Sequence, residues 1–340
     1  MNKTVILFGG SSGERLVSVA SAQNLVENFQ FDEIVFWDKA GAFFEVSKSA
    51  LTSHPNPFLN EFKASGATFA TSLQSALNFF AGKTIFLALH GTEGEDGKLQ
   101  NLLERHGISF TASGAESSRN SFHKKISKDI VSIANIKTTP EYLVSMKDLE
   151  TDKIKMSEFL KMNGKIVLKP VANGSSIGLF IVGDHFALKN AVDKIRDMDL
   201  GDYIAEKFIE GRELTVGVYQ SAKGLIALPP SEIIVNEGRS FDYEGKYLGQ
   251  GTNEITPAQL SPDETKAAKK MALEAHQALS CYGYSRTDMI LTKDGPVYIE
   301  TNTLPGLSKP SFIPQQLKAA DISLSNFIQR QITLAEARLK

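Results

Sequence analysis

Arg286 and Asp288 stand two positions apart, as do Glu300 and Asn302. Side chains alternate across a strand, so each pair shares a face if its segment is extended. A hairpin of Ser285–Leu291 and Pro296–Glu300 around the odd loop Lys293-Asp294-Gly295 sets Thr292 against Pro296, Asp288 against Glu300 and Arg286 against Asn302. An even two-residue loop would break that register. Opposed carboxylates repel unless a cation lies between them. Two carboxylates and an amide oxygen are hard donors that suit Mg²⁺ or Mn²⁺, with phosphate oxygens completing the shell. The other reading is a solvated hairpin face carrying an Arg–Asp pair.

Further stretches carry chemistry-bearing groups. Gly9-Gly10-Ser11-Ser12-Gly13 runs into Glu14 at a helix start. Its spacing does not match G-x-G-x-x-G, which argues against a dinucleotide site. Glu14 either complements the positive end of that helix or binds a substrate ammonium. His90-Gly91-Thr92-Glu93-Gly94-Glu95-Asp96-Gly97 puts a histidine, acidic groups and flexible backbone at one strand tip. Lys169 precedes Asn173-Gly174-Ser175-Ser176-Ile177-Gly178, whose glycines let backbone N–H groups approach a phosphate while the lysine supplies charge. The same stretch also reads as a simple hairpin turn, and it is not a P-loop. Glu206-Lys207-Phe208-Ile209 reads either as an edge-like strand end offering a carboxylate and backbone groups to an adenosine, or as plain sheet. Lys246-Tyr247 lies in a polar, Gly-rich stretch, 236–256, readable as a lid over phosphates or as a solvated loop.

These groups need elements to aim them. Thr4–Phe8, Glu33–Trp37 and Thr84–Leu89 have strand character, and helices are expected over Val17–Phe29 and Lys98–His106. Strand, Gly-rich turn and helix in alternation indicate a parallel sheet with crossover helices. Ligands of such sheets sit outside the carboxyl ends of the strands, where both Gly9–Glu14 and His90–Gly97 lie. Downstream, one polar helix is expected over Glu116–Ala134, including Lys124, Lys125 and Lys128. Strands follow at Ile166–Leu168, Tyr203–Phe208 and Glu213–Tyr219, an extended stretch at Leu225–Val235, and helices at Asp263–Leu279 and Ile322–Ala337. Residues 38–83 remain unassigned. The fold class is therefore α/β with mixed α+β parts.

A chain of 340 residues suits two or three domains. Its net charge of −2 argues against a nucleic-acid footprint. The single cysteine, Cys281, excludes an intrachain disulfide and a cysteine-based zinc cluster. The apolar run Val5–Phe8 is too short for a signal peptide or membrane span. A cytosolic enzyme or binding protein is expected.

Taken in order, the motifs resemble those of the D-alanine–D-alanine ligases of the ATP-grasp superfamily, along nearly the whole chain. They are Gly9-Gly10 with Glu14-Arg15 and Val17-Ser18; His90-Gly91 with Gly94-Glu95-Asp96-Gly97 and Leu99-Gln100; and Lys169-Pro170 with Gly174-Ser175-Ser176-Ile177-Gly178. They continue through Glu206-Lys207, Asp242-Tyr243-Glu244-Gly245-Lys246-Tyr247, Arg286-Thr287-Asp288 and Glu300-Thr301-Asn302-Thr303-Leu304-Pro305-Gly306. The resemblance implies a three-domain ATP-grasp fold: 1–113 as an N-terminal substrate-side α/β domain, 114–208 as the central small domain, and 209–340 as the C-terminal domain with the metal and oxyanion site. It implies a cytoplasmic homodimer without nucleic-acid or membrane partners. The implied reaction joins two D-alanine molecules through D-alanyl phosphate, with ATP as co-substrate and two Mg²⁺ or Mn²⁺ ions, in peptidoglycan precursor synthesis.

Carried over by position, the resemblance implies that Lys124 and Lys169 meet the nucleotide phosphates. Glu206 is the adenine-side acid, Lys207 and Ile209 supply backbone contacts, and Glu213 binds ribose. Asp288, Glu300 and Asn302 hold the metal, and Arg286 with the Gly306 N–H stabilises an oxyanion. Glu14 holds the first D-alanine's ammonium, with Ser175 and Tyr247 as partners, and Lys246 reaches the phosphates from the lid. Ser311 and His90 adjoin the second substrate, with Glu95 supporting His90. Leu304 and Pro310 stand where relatives commonly carry Ser and His, and Tyr247 is the residue type that accompanies dipeptide rather than depsipeptide formation. The alternatives are an ATP-grasp carboxylate–amine ligase with another acceptor, and a catalytically silent nucleotide-binding relative.

Overall fold

The computed structural model describes residues 2–174, 176–235 and 252–338. The expected strand, helix and strand at the N-terminus are β1 (Lys3–Gly9), a helix at Arg15–Asn28 and β2 (Glu33–Trp37). With β3 (Phe43–Glu45), β4 (Lys83–Leu87) and β5 (Ser109–Phe110) they form a five-stranded sheet in the order β3-β2-β1-β4-β5. β1 pairs in parallel with β2 and β4, and β4 with β5; only β3 is antiparallel. Val5–Phe8 is wholly buried, as the interior strand of a sheet covered on both faces must be. β3 and β5 are too short to carry a periodic pattern and were not anticipated.

A second sheet, ordered β6-β9-β7-β8, is antiparallel throughout and comprises β6 (Glu141–Val144), β7 (Ile166–Pro170), β8 (Phe180–Val182) and β9 (Tyr203–Lys207). Helices Leu149–Asn163 and His185–Met198 close its core, around Met156, Ile166, Leu168 and Val192. The expected edge-like character of Glu206–Ile209 is corrected here: β9 is an interior strand, with β6 on one side and β7 on the other.

The third sheet runs β13-β12-β10-β14-β15, with β11 added to β10. Its strands are β10 (Arg212–Ser221), β11 (Gly224–Ala227), β12 (Ser231–Val235), β13 (Thr252–Ile255), β14 (Tyr284–Thr292) and β15 (Gly295–Asn302). β13 lies inside the stretch read as loop. The Pro262–Ala278 helix covers the inner face, where Ala268, Ala272 and Ala275 meet Leu214, Val216 and Met289. Its start is a capping box in which Ser261 and Glu264 satisfy each other's backbone N–H, with Pro262 opening the helix.

The single helix expected over Glu116–Ala134 is two, Ala115–Phe122 and Lys124–Ile133. His123 breaks it with φ −90° and ψ 101°, and its ring accepts from Ile126 N, capping the second helix. Val131 and Ile136 then pack on the third sheet's core. The closing helix, Leu324–Arg338, returns to the first sheet, where Phe327, Ile328 and Ile332 are buried in the same apolar cluster as β1 and β4.

Candidate active site

β14 alternates half-buried Arg286, Asp288 and Ile290 with buried Thr287, Met289 and Leu291. The expected pairs form: Arg286 opposes Asn302 and Asp288 opposes Glu300. The reason differs from the expected one. Thr292 pairs with Gly295, so the turn is the even loop Lys293-Asp294. A bulge between Asp288 and Met289 leaves Ile299 without a cross-strand partner and shifts the register by one. That extra residue brings Glu300 and Asn302 back to the face of Arg286 and Asp288.

Here the opposed carboxylates are each met by a different cation. Arg286 forks onto Asp288, with Nε 2.9 Å from Oδ1 and Nη2 2.8 Å from Oδ2. Lys124 Nζ lies 3.2 Å from Glu300 Oε2 and donates to the Asn173 carbonyl at 2.6 Å. Asn302 Oδ1 accepts from Leu304 N at 2.9 Å. The Arg–Asp pair and the shared acidic face thus coexist. No group of three His, Cys, Asp or Glu side chains among the described residues is spaced for a metal ion. The donor set here is two carboxylates and an amide, which fits a hard divalent cation that takes its remaining ligands from phosphate or water.

At the tip of β1, Glu14 opens the Arg15–Asn28 helix. Ser12 Oγ accepts from Glu14 N at 3.1 Å and donates to the His90 carbonyl at 2.6 Å, joining the tips of β1 and β4. The Gly-rich loop after β7 reaches the same point. A Cβ on Gly174 would stand 2.9 Å from Glu14 Oε2, so a larger residue there would displace the Glu14 carboxylate.

His90 is buried, and both its ring nitrogens are engaged. Nδ1 lies 2.9 Å from the Leu304 carbonyl, which only accepts, so Nδ1 carries the proton. Nε2 then accepts from Ser21 Oγ at 2.8 Å, and Ser21 Oγ accepts in turn from Leu307 N at 3.2 Å. Burial pushes the His90 pKa down, which keeps the ring neutral. The expected support of His90 by Glu95 is corrected here, since Glu95 Oε1 instead accepts from Gly91 N at 2.9 Å. Burial, with the Glu14 charge adding to it, pushes the Glu95 carboxyl up to about 8. Asn24 Nδ2 donates to the Leu307 carbonyl at 2.7 Å, so the Arg15–Asn28 helix holds the 303–311 loop by two side chains. In that loop a Cβ on Gly306 would stand 2.7 Å from Ser311 Oγ, which pairs with Ser308 Oγ at 2.6 Å.

One cleft gathers Glu14, His90 and Glu95 from the first sheet, and Lys124 with Gly174 from the middle of the chain. Arg286, Glu300, Asn302, Gly306 and Ser311 close it from the third sheet and its loop. Glu254 of β13 lines it too and was not anticipated. It accepts from Gln315 Nε2 at 3.0 Å, and burial raises its pKa. Nothing in its polar surroundings in sequence signals it, because β13 itself was read as loop.

Beside the cleft lies a buried ionic group. Glu206 Oε2 is 3.1 Å from Lys169 Nζ, and Glu206 Oε1 is 2.6 Å from Lys128 Nζ. Burial opposes the Glu206 charge, but Lys169 and Lys128 outweigh it and lower its pKa. Burial likewise opposes the Lys169 charge, which Glu206 and Glu300 restore and raise. The sequence signal for Lys128 is its spacing: it stands four residues from Lys124, on the same helix face. Lys207 N is committed to the Pro140 carbonyl at 2.9 Å, and Ile209 follows just beyond β9. Glu213 opposes Ile290 on β14, on the face that carries Thr215 and Asp288. The Asn173–Gly178 stretch does join antiparallel strands, β7 and β8. Ser175, Lys246 and Tyr247 lie outside the described residues.

Two family models match the chain, the D-ala D-ala ligase N-terminus over residues 3–113 and the D-ala D-ala ligase C-terminus over residues 131–333. A D-alanine–D-alanine ligase of Leptospira interrogans is 32% identical over 358 residues, covering 99% of each protein. One from Clostridium beijerinckii is 32% identical over 328 residues, covering 96% of each. Among solved structures, the D-alanine–D-alanine ligase of Bacillus anthracis superposes with TM-score 0.77 at 28% identity, covering 100% of this chain and 99% of that one. The VanG D-Ala:D-Ser ligase of Enterococcus faecalis gives TM-score 0.81 at 27% identity, covering 98% of this chain and 100% of that one.

Proposed function

We propose a residue-level mechanism from one premise: the chain belongs to the D-alanine–D-alanine ligase family. It is an ATP-dependent ligase that joins two D-alanine molecules into D-alanyl-D-alanine for the cell wall. Glu14 receives the ammonium of the first D-alanine, at the meeting point of the β1, β4 and β7 tips. That substrate's carboxylate oxygen attacks the γ-phosphorus as the bond to the ADP oxygen breaks, giving D-alanyl phosphate. Lys124 and Lys169 neutralise phosphate charge, and Glu206, Lys207, Ile209 and Glu213 hold adenine and ribose. Asp288, Glu300 and Asn302 would hold Mg²⁺ or Mn²⁺, as two ions, which supply further neutralisation of the phosphates when bound.

The amine of the second D-alanine then adds to the acyl carbon, near Ser311 and His90. Its oxyanion accepts hydrogen bonds from Arg286 and Gly306 N–H, and collapse expels phosphate together with the amine's proton. Positioning and charge neutralisation are the whole of this catalysis. Ser175, Lys246 and Tyr247 complete the site in this reading, as hydrogen-bonding partners of the first substrate and a lid residue on the phosphates.

The observation that carries the proposal is the convergence of Glu14, Lys124, Arg286, Glu300 and Gly306 on one cleft. The reading extends to units 1–113, 114–208 and 209–340, to a homodimer, and to work in the cytoplasm without nucleic-acid or membrane partners. No helix among the described residues is long and apolar enough to cross a membrane. The test is an acceptor panel of D-alanine, L-alanine, D-serine and D-lactate, with ADP release measured and products weighed by mass spectrometry. D-alanine alone should drive ADP release and yield the dipeptide. A D-alanine-independent release, or a heavier yield of a mixed product, would remove it.

A further inference from the structure

Lys128 belongs to none of the roles above, yet it is among the most deeply buried charges in the molecule, 1% exposed. Its ammonium has three partners: Glu206 Oε1 at 2.6 Å, Thr139 Oγ1 at 2.7 Å and Glu141 Oε2 at 3.4 Å. Burying a lysine is costly unless its charge is answered. Desolvation does depress its pKa, with Glu206 and Glu141 opposing the depression and Lys169 adding to it. The arrangement is a quartet of two lysines and two glutamates drawn from four elements: the Lys124–Ile133 helix, β6, β7 and β9. Lys125 reaches Glu141 from outside at 3.8 Å.

The two lysines share Glu206 by splitting its oxygens, Lys128 on Oε1 and Lys169 on Oε2. In the proposed mechanism Lys169 turns its ammonium, which has three donors, toward the nucleotide phosphates. Once it turns to them, Oε2 is released and Lys128 is the cation left on Glu206. An ionised carboxylate only accepts hydrogen bonds, whereas a protonated one also donates. The 6-amino group of adenine donates, and the 6-oxo group of guanine accepts. The charge state of Glu206 therefore decides which purine it welcomes.

We propose that Lys128 is a positioning residue for nucleotide selection: it holds Glu206 anionic and aimed when Lys169 leaves it, so that the site accepts an adenine and repels a guanine. The proposal rests on the reading of Glu206 as the adenine-side acid. Lys128 touches Glu206 and not the base.

The test compares kcat/KM for ATP and GTP in the full-length enzyme, for the parent, Lys128→Met, Lys128→Arg and Glu206→Gln. Lys128→Met should raise KM for ATP and narrow the ATP-over-GTP preference by about tenfold, which corresponds to about 1.4 kcal/mol. Its kcat should change far less than its KM, and Lys128→Arg should restore most of the preference. A preference unchanged in Glu206→Gln overturns the placement of Glu206 at the base, and the proposal with it. A preference narrowed in Glu206→Gln but unchanged in Lys128→Met overturns the part given to Lys128 alone. Should Lys128→Met fail to fold by circular dichroism, Thr139→Val decides. It removes one anchor of the ammonium with little change of shape, and should narrow the preference by about threefold; an unchanged preference in it overturns the proposal.

Discussion

At the scale of single residues, the site is a set of charges that depend on one another. Glu300 is held by Lys124 and faces Asp288, so its charge serves both the cation-binding face and the phosphate-side lysine. Glu300→Gln keeps the shape and removes the charge. Turnover should fall by about 100-fold or more, the scale of losing one preorganised electrostatic contact, with the circular dichroism spectrum unchanged. A near-normal rate at saturating Mg²⁺ would count against the assignment. Glu95 lends itself to a different measurement. Its folded carboxyl keeps its proton up to about pH 8, whereas an ordinary glutamate releases it near 4.5. Between those values the folded state binds more protons than the unfolded chain, so raising the pH weakens the fold through this group. Glu95→Gln mimics the protonated form and removes that slope. Its melting temperature, relative to the parent, should climb from pH 5 to pH 8 by a few degrees; a constant difference would show that Glu95 ionises normally.

At the scale of elements, what matters is how strands and helices aim those residues. That Arg286 shares a face with Asp288, and Glu300 with Asn302, was legible because period-two alternation is a local rule, but their pairing across the hairpin depends on an even turn offset by a bulge. That bulge was not legible, since nothing in Tyr298-Ile299-Glu300 differs from ordinary strand sequence. β1 and β2 were legible as apolar runs, but β3 and β5 are too short to show a pattern. The two helices broken at His123 read as one, because a histidine cap lacks the mark of Gly or Pro. Glu14, Arg286 and Gly306 could be named as candidates, yet the fixing of their loop could not. Ser21 and Asn24 look like incidental polar residues of an apolar helix, and only the fold shows them on Leu307. Ser21→Ala removes the acceptor of Leu307 N and the donor to His90 together. Slight displacement of Gly306 should lower kcat by about tenfold, since small misplacements near reacting atoms are costly. KM for ATP should hardly move, as the nucleotide lies elsewhere; a loss confined to that KM would contradict the linkage.

At the scale of the whole molecule, the apolar cores decide which parts move together. The first sheet's core runs on into Tyr219, Leu228 and Tyr284 of the third sheet's region and into Leu304 and Leu307 of the loop that carries Gly306. The third sheet's other face has a cluster of its own beneath the Pro262–Ala278 helix, and the second sheet's core shares no residue with either. The second sheet's loop meets the rest of the molecule at the cleft, where Gly174 lines the same wall as Glu14 and the Asn173 carbonyl accepts from Lys124. Phe327 is the keystone of the shared core: fully buried on the closing helix, its ring lies 5.5 Å from Tyr219 and 5.1 Å from Tyr284, centroid to centroid. Phe327→Ala should cost about 3–5 kcal/mol, the range for emptying a buried aromatic site. The loss should also be distributed in a particular way. Hydrogen exchange should quicken in β4 and β5, which the closing helix covers, and in β10 and β14, which carry the two tyrosines. Exchange in β6, β7 and β9 should stay as in the parent, because Phe327 reaches none of their core. Faster exchange confined to the closing helix would mean that the first and third sheets do not share a cooperative unit, and a uniform increase would mean that the second sheet has no independence.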